Sequence, residues 1–181
     1  MWGKHPMEKL FQEYIIGRVN LTQHDNDKAL SGKELASISI VAKKSPPRRI
    51  LVVDDDPDTR QLSVDVLVSS DFEVLATVDG ADAWAALRAK HFDLVITDNK
   101  MPRMTGIELI EKLRYTRLPL PVIMATSQLP TLEFERKPWL LPDASLQRPF
   151  SNDDLLATVK KVLRTDDTNW NHMEMLLPKY L

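Results

Sequence analysis

The chain has 181 residues, 43% hydrophobic and 28% charged, which suits one soluble domain with a well-filled core and short additions. Its 24 basic and 26 acidic side chains leave a net charge of −2, arguing against a broad nucleic-acid footprint. The lack of cysteine excludes disulfides, thiolate metal sites and cysteine nucleophiles, and fits a reducing compartment. No apolar run approaches the roughly 20 residues of a membrane span. The N-terminal stretch shows no secretory pattern, so the expectation is a cytoplasmic protein with no membrane partner.

Residues 1–49 carry nine Lys/Arg against five Asp/Glu, and residues 50–181 carry fifteen against twenty-one. The change falls at Lys43-Lys44-Ser45-Pro46-Pro47-Arg48-Arg49, a Pro-containing basic stretch that reads as a stiff, solvated linker. Ahead of it, Met7 to Val19 places Leu10, Phe11, Tyr14, Ile15 and Val19 on one helical face. Asp25 to Ala42 mixes helical and strand-like patterns. A docked helix, a disordered leader and a misplaced start codon all stay open. The expectation for residues 1–48 is an extension and linker, partly helical or disordered.

Ile50 to Val53 is the apolar, β-branched run of a strand buried on both faces. Asp58 to Ser70 is helical, with Leu62, Val66 and Leu67 in period, and Phe72 to Val78 is a second strand closed by an Asp79-Gly80 turn. A helix over Ala81 to Lys90, with Trp84 and Leu87, leads to a third strand, Phe92 to Thr97. Thr105 to Arg114 is a helix with Ile107, Ile110 and Leu113 on one face, and Pro121 to Ala125 is a fourth strand. Leu129 to Pro142 holds Pro130, Pro138 and Pro142, so its helix should be short or irregular, since an interior Pro costs about 3 kcal/mol. Trp139, Leu140 and Leu141 are expected to plug the resulting gap; the alternative is an exposed contact patch. Ala144 to Gln147 is a short fifth strand. Ser151 to Arg164 is the last helix, with Ser151 as N-cap, Asp154 at the capping-box position, and Leu155, Val159 and Val162 in period. The tail, residues 166–181, carries Met173, Leu176 and Leu177, which leave docking and fraying equally open.

Alternating strands and helices predict parallel strands with crossovers, hence a doubly wound α/β sheet. The ligand crevice of such a sheet lies at the carboxyl ends of its strands. Those ends are Asp54-Asp55-Asp56-Pro57, Asp98-Asn99-Lys100-Met101-Pro102, Thr126-Ser127 and Arg148-Pro149-Phe150. Taken singly, each describes a solvated loop, a cap or a turn. Converging on one sheet edge, the carboxylates need a counter-ion, and hard oxygen donors suit Mg²⁺. The negative charges of Asp54, Asp55 and Asp98 are then balanced by Mg²⁺ and Arg148. Thr126 and Arg148 are placed to hold phosphoryl oxygens, and Asp98 to act as a nucleophile that becomes an acyl phosphate.

From Arg49 to about Arg164 the chain resembles the receiver domain of bacterial two-component response regulators. The resemblance rests on RILVVDDDP, DLVITDNKMPRMTGIEL, PVIMATS and RPF, with the Asp98 to Gly106 spacing the most specific part. It implies a receiver domain over 49–165, of flavodoxin-like fold, with a five-stranded parallel sheet in the order 2-1-3-4-5 flanked by five helices. It also implies that Asp98 is the phosphoacceptor and Thr126 the switch hydroxyl. Asp54, Asp55, Asp98 and the backbone carbonyl of Lys100 would bind Mg²⁺, Asp55 more directly than Asp54. A histidine kinase or phosphotransfer protein would supply the phosphoryl group. Catalysis would be limited to slow self-dephosphorylation; Lys100 and Gln128 stand at the positions that flank attacking water in the family, and solvated rim side chains are the open alternative.

Two positions depart from the family pattern. Arg148 replaces the Lys of the Lys-Pro pair, keeping the charge on a larger, planar group. Ser145 stands at the aromatic switch position. The Arg148–Pro149 peptide is expected to be cis. Neither end is patterned for DNA binding, so the expectation is a stand-alone receiver acting through contacts with an unidentified output protein, homodimerisation being left open. Two rivals remain at this point. One is a degenerate receiver that binds partners without phosphorylation. The other is a haloacid-dehalogenase-like phosphohydrolase, whose nucleophile would follow the first strand and whose downstream acidic pair is represented only by Asp143.

Overall fold

The structure is a computed structural model that describes residues 47–176, with side chains as far as Arg164. The expectations for residues 1–46 and for the side chains of Met173, Leu176 and Leu177 lie outside the described residues. The elements are β1 (Arg49–Val53), α1 (Pro57–Val68), β2 (Glu73–Thr77), α2 (Gly80–Ala89), β3 (Leu94–Thr97) and α3 (Gly106–Tyr115). They continue with β4 (Val122–Thr126), α4 (Thr131–Arg136), a 3₁₀ turn (Pro138–Leu140), β5 (Ala144–Gln147) and α5 (Asn152–Leu176). The five strands form one parallel sheet in the order β2-β1-β3-β4-β5, as predicted.

The three central strands are apolar because helices cover both of their faces. Leu51, Val53, Val95, Val122 and Met124 face one core with Ala83 of α2 and Leu109, Ile110 and Leu113 of α3. Ile50, Val52, Leu94, Ile96 and Ile123 face the other with Leu67 of α1 and Leu155 and Val159 of α5. In register, Val53 lies beside both Thr77 and Thr97, so β1, β2 and β3 end level with one another.

Helix starts are set by capping side chains. Asp56 accepts the Thr59 amide at 2.7 Å ahead of Pro57, which is tolerated in a first turn because its missing N–H has no intrahelical partner there. The chain bends through Val78 and Asp79 at the predicted turn, and Asp79 has a further role. It accepts the amides of Ala81 and Asp82 and caps α2, which begins at Gly80. Thr105 and Glu108 form a reciprocal capping box on α3. Ser151 and Asp154 do the same for α5, as the sequence implied.

Two packing expectations are corrected. Leu62 is 55% exposed, because the buried stripe of α1 runs through Ser63 and Leu67. A shift of one position turns a helical side chain by about 100°. The plug near α4 is Leu140 alone, at 1% exposure, whereas Trp139 and Leu141 are 50% and 52% exposed. In a 3₁₀ turn successive side chains diverge by about 120°, so only one of the three points inward. The Lys137 ammonium lies 5.7 Å from the Trp139 ring centroid. Leu140→Ala should therefore cost about 2–5 kcal/mol in urea unfolding. Trp139→Ala should cost no more than about 0.5 kcal/mol, and equal losses would return Trp139 to the core. The short α4 fits the proline content, and α5 extends well past Arg164. Among the described residues, no helix is long and apolar enough to cross a membrane.

Candidate functional site

The sheet hydrogen bonding carries on past the strand ends. The Asp54 amide donates to the Thr77 carbonyl at 3.1 Å and the Asp98 amide to the Val53 carbonyl at 2.9 Å. This brings the two aspartates to the same edge. One carboxylate oxygen from each of Asp54, Asp55 and Asp98 lies within 4.8 Å of the others, with Asp54 and Asp98 buried and Asp55 exposed. Asp54 Oδ1 accepts the Asp56 amide at 3.0 Å, and Asp98 Oδ1 accepts the Asn99 amide at 2.6 Å.

Arg148 joins these acids from the end of β5, where its amide donates to the Thr126 carbonyl at 2.9 Å. Its Nη2 donates to Asp54 Oδ2, and its Nη1 lies 3.5 Å from Asp98 Oδ2. The Arg148–Pro149 peptide is cis, as expected. Burial pushes the Asp54 carboxyl above its ordinary range, with the Asp98 carboxylate adding to the rise. Arg148 and the Asp56 amide offset it only in part. The structure thus brings together Asp54, Asp55, Asp98 and Arg148. Thr126 is buried at the end of β4, and its hydroxyl donates to the Gln128 carbonyl at 3.4 Å. The Lys100 ammonium donates to Gln128 Oε1 at 3.2 Å. Ser145 is exposed.

Sequence reasoning missed four supporting residues. Arg60 of α1 donates from Nη1 to the carbonyls of Asp54 and Asp55 at 2.7 and 3.3 Å, fixing the acidic peptide from behind. Asn99 Oδ1 accepts the Ile107 amide at 3.2 Å while the Asn99 carbonyl accepts the Gly106 amide at 3.1 Å, closing the loop after Asp98. Arg103, at φ 58°, bridges the buried Asp79 at 2.5 Å and Asp82 at 2.6 Å, tying that loop to the start of α2. An acid directly before Gly80 was the available signal for the cap. Nothing in the local pattern marked Arg103 as its partner.

Burial works to raise the Asp79 carboxyl, but the amides of Asp82 and Ala81 and the Arg103 guanidinium together hold it below the usual range. Glu108 and Asp154 are lowered by their capping partners Thr105 and Ser151. Such groups bind a proton less readily folded than unfolded. Their stabilisation is complete above the unfolded carboxylate range near pH 4, and is lost as pH falls through their lower folded values. Asp54 has the opposite sign. The urea midpoint should therefore drop on acidification below about pH 4, and Asp79→Asn should make that drop shallower. An unaltered acid profile in the variant would contradict the assignment.

Residues 50–160 match the family model described as the response regulator receiver domain. The chain belongs to this family. The match is to a receiver domain and not to a phosphohydrolase, so it does not support the phosphohydrolase alternative. It is 31% identical over 145 residues to the sensor histidine kinase RcsC of Escherichia coli K12, an overlap of 80% of this chain. That overlap is 15% of the kinase's length. Among solved structures, a CheY-like receiver domain protein from Methanospirillum hungatei matches with a TM-score of 0.64 and 28% identity, covering 68% of this chain and 98% of that one. The response regulator TrrA of Thermotoga maritima in complex with Mg(2+)-BeF matches with a TM-score of 0.57 and 29% identity, covering 64% and 98%. The receiver therefore carries an acidic cluster at the carboxyl edge of its sheet, with Asp54 and Asp98 buried and Asp55 exposed.

Proposed function

We propose that residues 49–165 form a Mg²⁺-dependent receiver in which Asp98 accepts a phosphoryl group from the phosphohistidine of a histidine kinase or phosphotransfer protein. The observation that carries this reading is the convergence of Asp54, Asp55 and Asp98 within 4.8 Å. Three hard oxygen donors from separate side chains fit a small divalent cation. Asp54, Asp55, Asp98 and the Lys100 carbonyl would hold it in this reading, and it would supply positive charge to offset that on the phosphoryl oxygens. An Asp98 oxygen attacks phosphorus, the N–P bond breaks, and its electron pair leaves on the imidazole; the product is an acyl phosphate. The Asn99 amide, already donating to Asp98 Oδ1, orients the nucleophile. Thr126 is the switch hydroxyl. Its 3.4 Å bond to Gln128 is long, so turning it toward a phosphoryl oxygen costs little. Arg148 supplies the cation for that group.

Phosphorylation then biases the face built by β4, β5 and their helices between two arrangements, and output passes to an unidentified protein or a second copy of the chain. The Mg(2+)-BeF complex of the related TrrA supports this reading. Beryllofluoride with Mg²⁺ should shift the amide resonances of Asn99 and Thr126 in the full chain and leave Asp98→Ala unmoved. A silent wild type would contradict the proposal.

A second reading, a phosphorylation-independent interaction module, is favoured by one observation: Arg148 already compensates the buried Asp54. It predicts partner binding indifferent to Asp98→Ala and to Mg²⁺.

A further inference from the structure

We propose that Arg148 is a tethered competitor for the divalent cation, so that cation binding and release of the guanidinium from Asp54 are one coupled event. The inference rests on the receiver reading above and concerns what this chain's arginine adds to it. The guanidinium engages two of the three carboxylates that would hold the ion, bonding Asp54 Oδ2 through Nη2 and standing 3.5 Å from Asp98 Oδ2 through Nη1. A planar fork can reach both acids at once, whereas a lysine ammonium is a single point charge. The other Asp54 oxygen already accepts the Asp56 amide. Both oxygens of this carboxylate, only 3% exposed, are therefore engaged by the chain itself.

A guanidinium stays charged at every working pH, so the pairing is not relieved by titration. A dication on the same carboxylates would repel it at short range. The paired pose is also incomplete: among the described residues, the buried Nε of Arg148 has no hydrogen-bond partner. An unmet donor of this kind raises the free energy of the pose and favours an alternative in which it is satisfied. Once displaced from Asp54, the fork is free to grip phosphoryl oxygens, which accept two parallel bonds readily. Arg148 thus weakens cation binding and becomes available for the phosphoryl group only when the cation is in place. By linkage, the ion must loosen Arg148 by the same factor that Arg148 weakens the ion.

The test is calorimetric titration of Mg²⁺ into the full chain as wild type, Arg148→Gln and Arg148→Lys. The expected result is binding about tenfold tighter in Arg148→Gln, within the ~5- to 150-fold range usual for coupled sites, with Arg148→Lys between the two. In the wild type, the Arg148 Nε–H resonance should move along the titration with the midpoint found by calorimetry. That readout needs no variant to fold. Equal or weaker binding in Arg148→Gln, or an Nε–H signal indifferent to Mg²⁺, overturns the tether while leaving the receiver reading intact. Absence of Mg²⁺ binding in all three proteins overturns both.

Discussion

Gly106→Ala should destabilise the chain by about 3 kcal/mol or more, at the upper end of what overpacking costs. A Cβ at this position would stand 2.2 Å from the Asp98 carbonyl oxygen and 3.1 Å from the Asn99 Cα. Both are backbone atoms, so no rotamer change relieves the clash. The glycine is not needed for its dihedral freedom, since no glycine among the described residues has a positive φ. It is needed because the first turn of α3 packs directly on the peptide that follows the candidate nucleophile. The same variant should also label poorly, because moving Asp98's carbonyl moves its carboxylate. Gly80→Ala is the control. Its Cβ would meet the Met104 carbonyl at 2.8 Å and the Met104 side chain at 2.9 Å, and the flexible part of that contact can give. Urea unfolding should rank Gly106→Ala as the costlier of the two, and the reverse order would contradict the close-approach argument.

Asp54→Asn should separate fold from function. The wild-type carboxyl carries a burial penalty that a neutral amide does not, and Arg148 keeps the nearby Asp98 as a partner. Loss of the bond to Arg148 opposes that gain, so the urea midpoint should move little. Acetyl phosphate labelling should fall by roughly a hundredfold or more, because a carboxylate that holds the cation contributes several kcal/mol to stabilising charge on the phosphoryl group. Retained labelling in a folded Asp54→Asn protein would remove Asp54 from the cation site.

The sheet was legible because its central strands are short apolar runs with no competing period. Ile50 to Val53 and Val122 to Ala125 could be neither amphipathic helix nor half-exposed strand, and alternation with helical segments then required crossovers. The acids were legible because strand ends in a parallel sheet share an edge. Helix faces were less so: of Leu62, Val66 and Leu67, which share a helical period, Leu67 is buried and Val66 packs on the core, but Leu62 is exposed while Ser63 is buried in its place. Trp139 misled too, as an aromatic flanked by leucines reads as core until the turn geometry decides.

Long-range polar partners were the least legible part of the site. The sequence places Arg148 as a countercharge to the acid cluster and a holder of phosphoryl oxygens but does not single out its direct pairing with the buried Asp54. The formal charge balance of Asp54, Asp55 and Asp98 against Mg²⁺ and Arg148 puts the guanidinium among the acids without choosing its partner. Arg103 and Asp79, 24 residues apart, carried no comparable signal.

The central claim is that Asp98 is a working, cation-dependent phosphoacceptor despite the arginine at position 148. The most direct test is the intact mass of the full chain and of Asp98→Ala after incubation with acetyl phosphate, with and without Mg²⁺. The account predicts one added phosphoryl group on the wild type that requires both Mg²⁺ and Asp98. A wild-type chain that binds Mg²⁺ but gains no mass, or an Asp98→Ala chain that gains the same adduct, would contradict it.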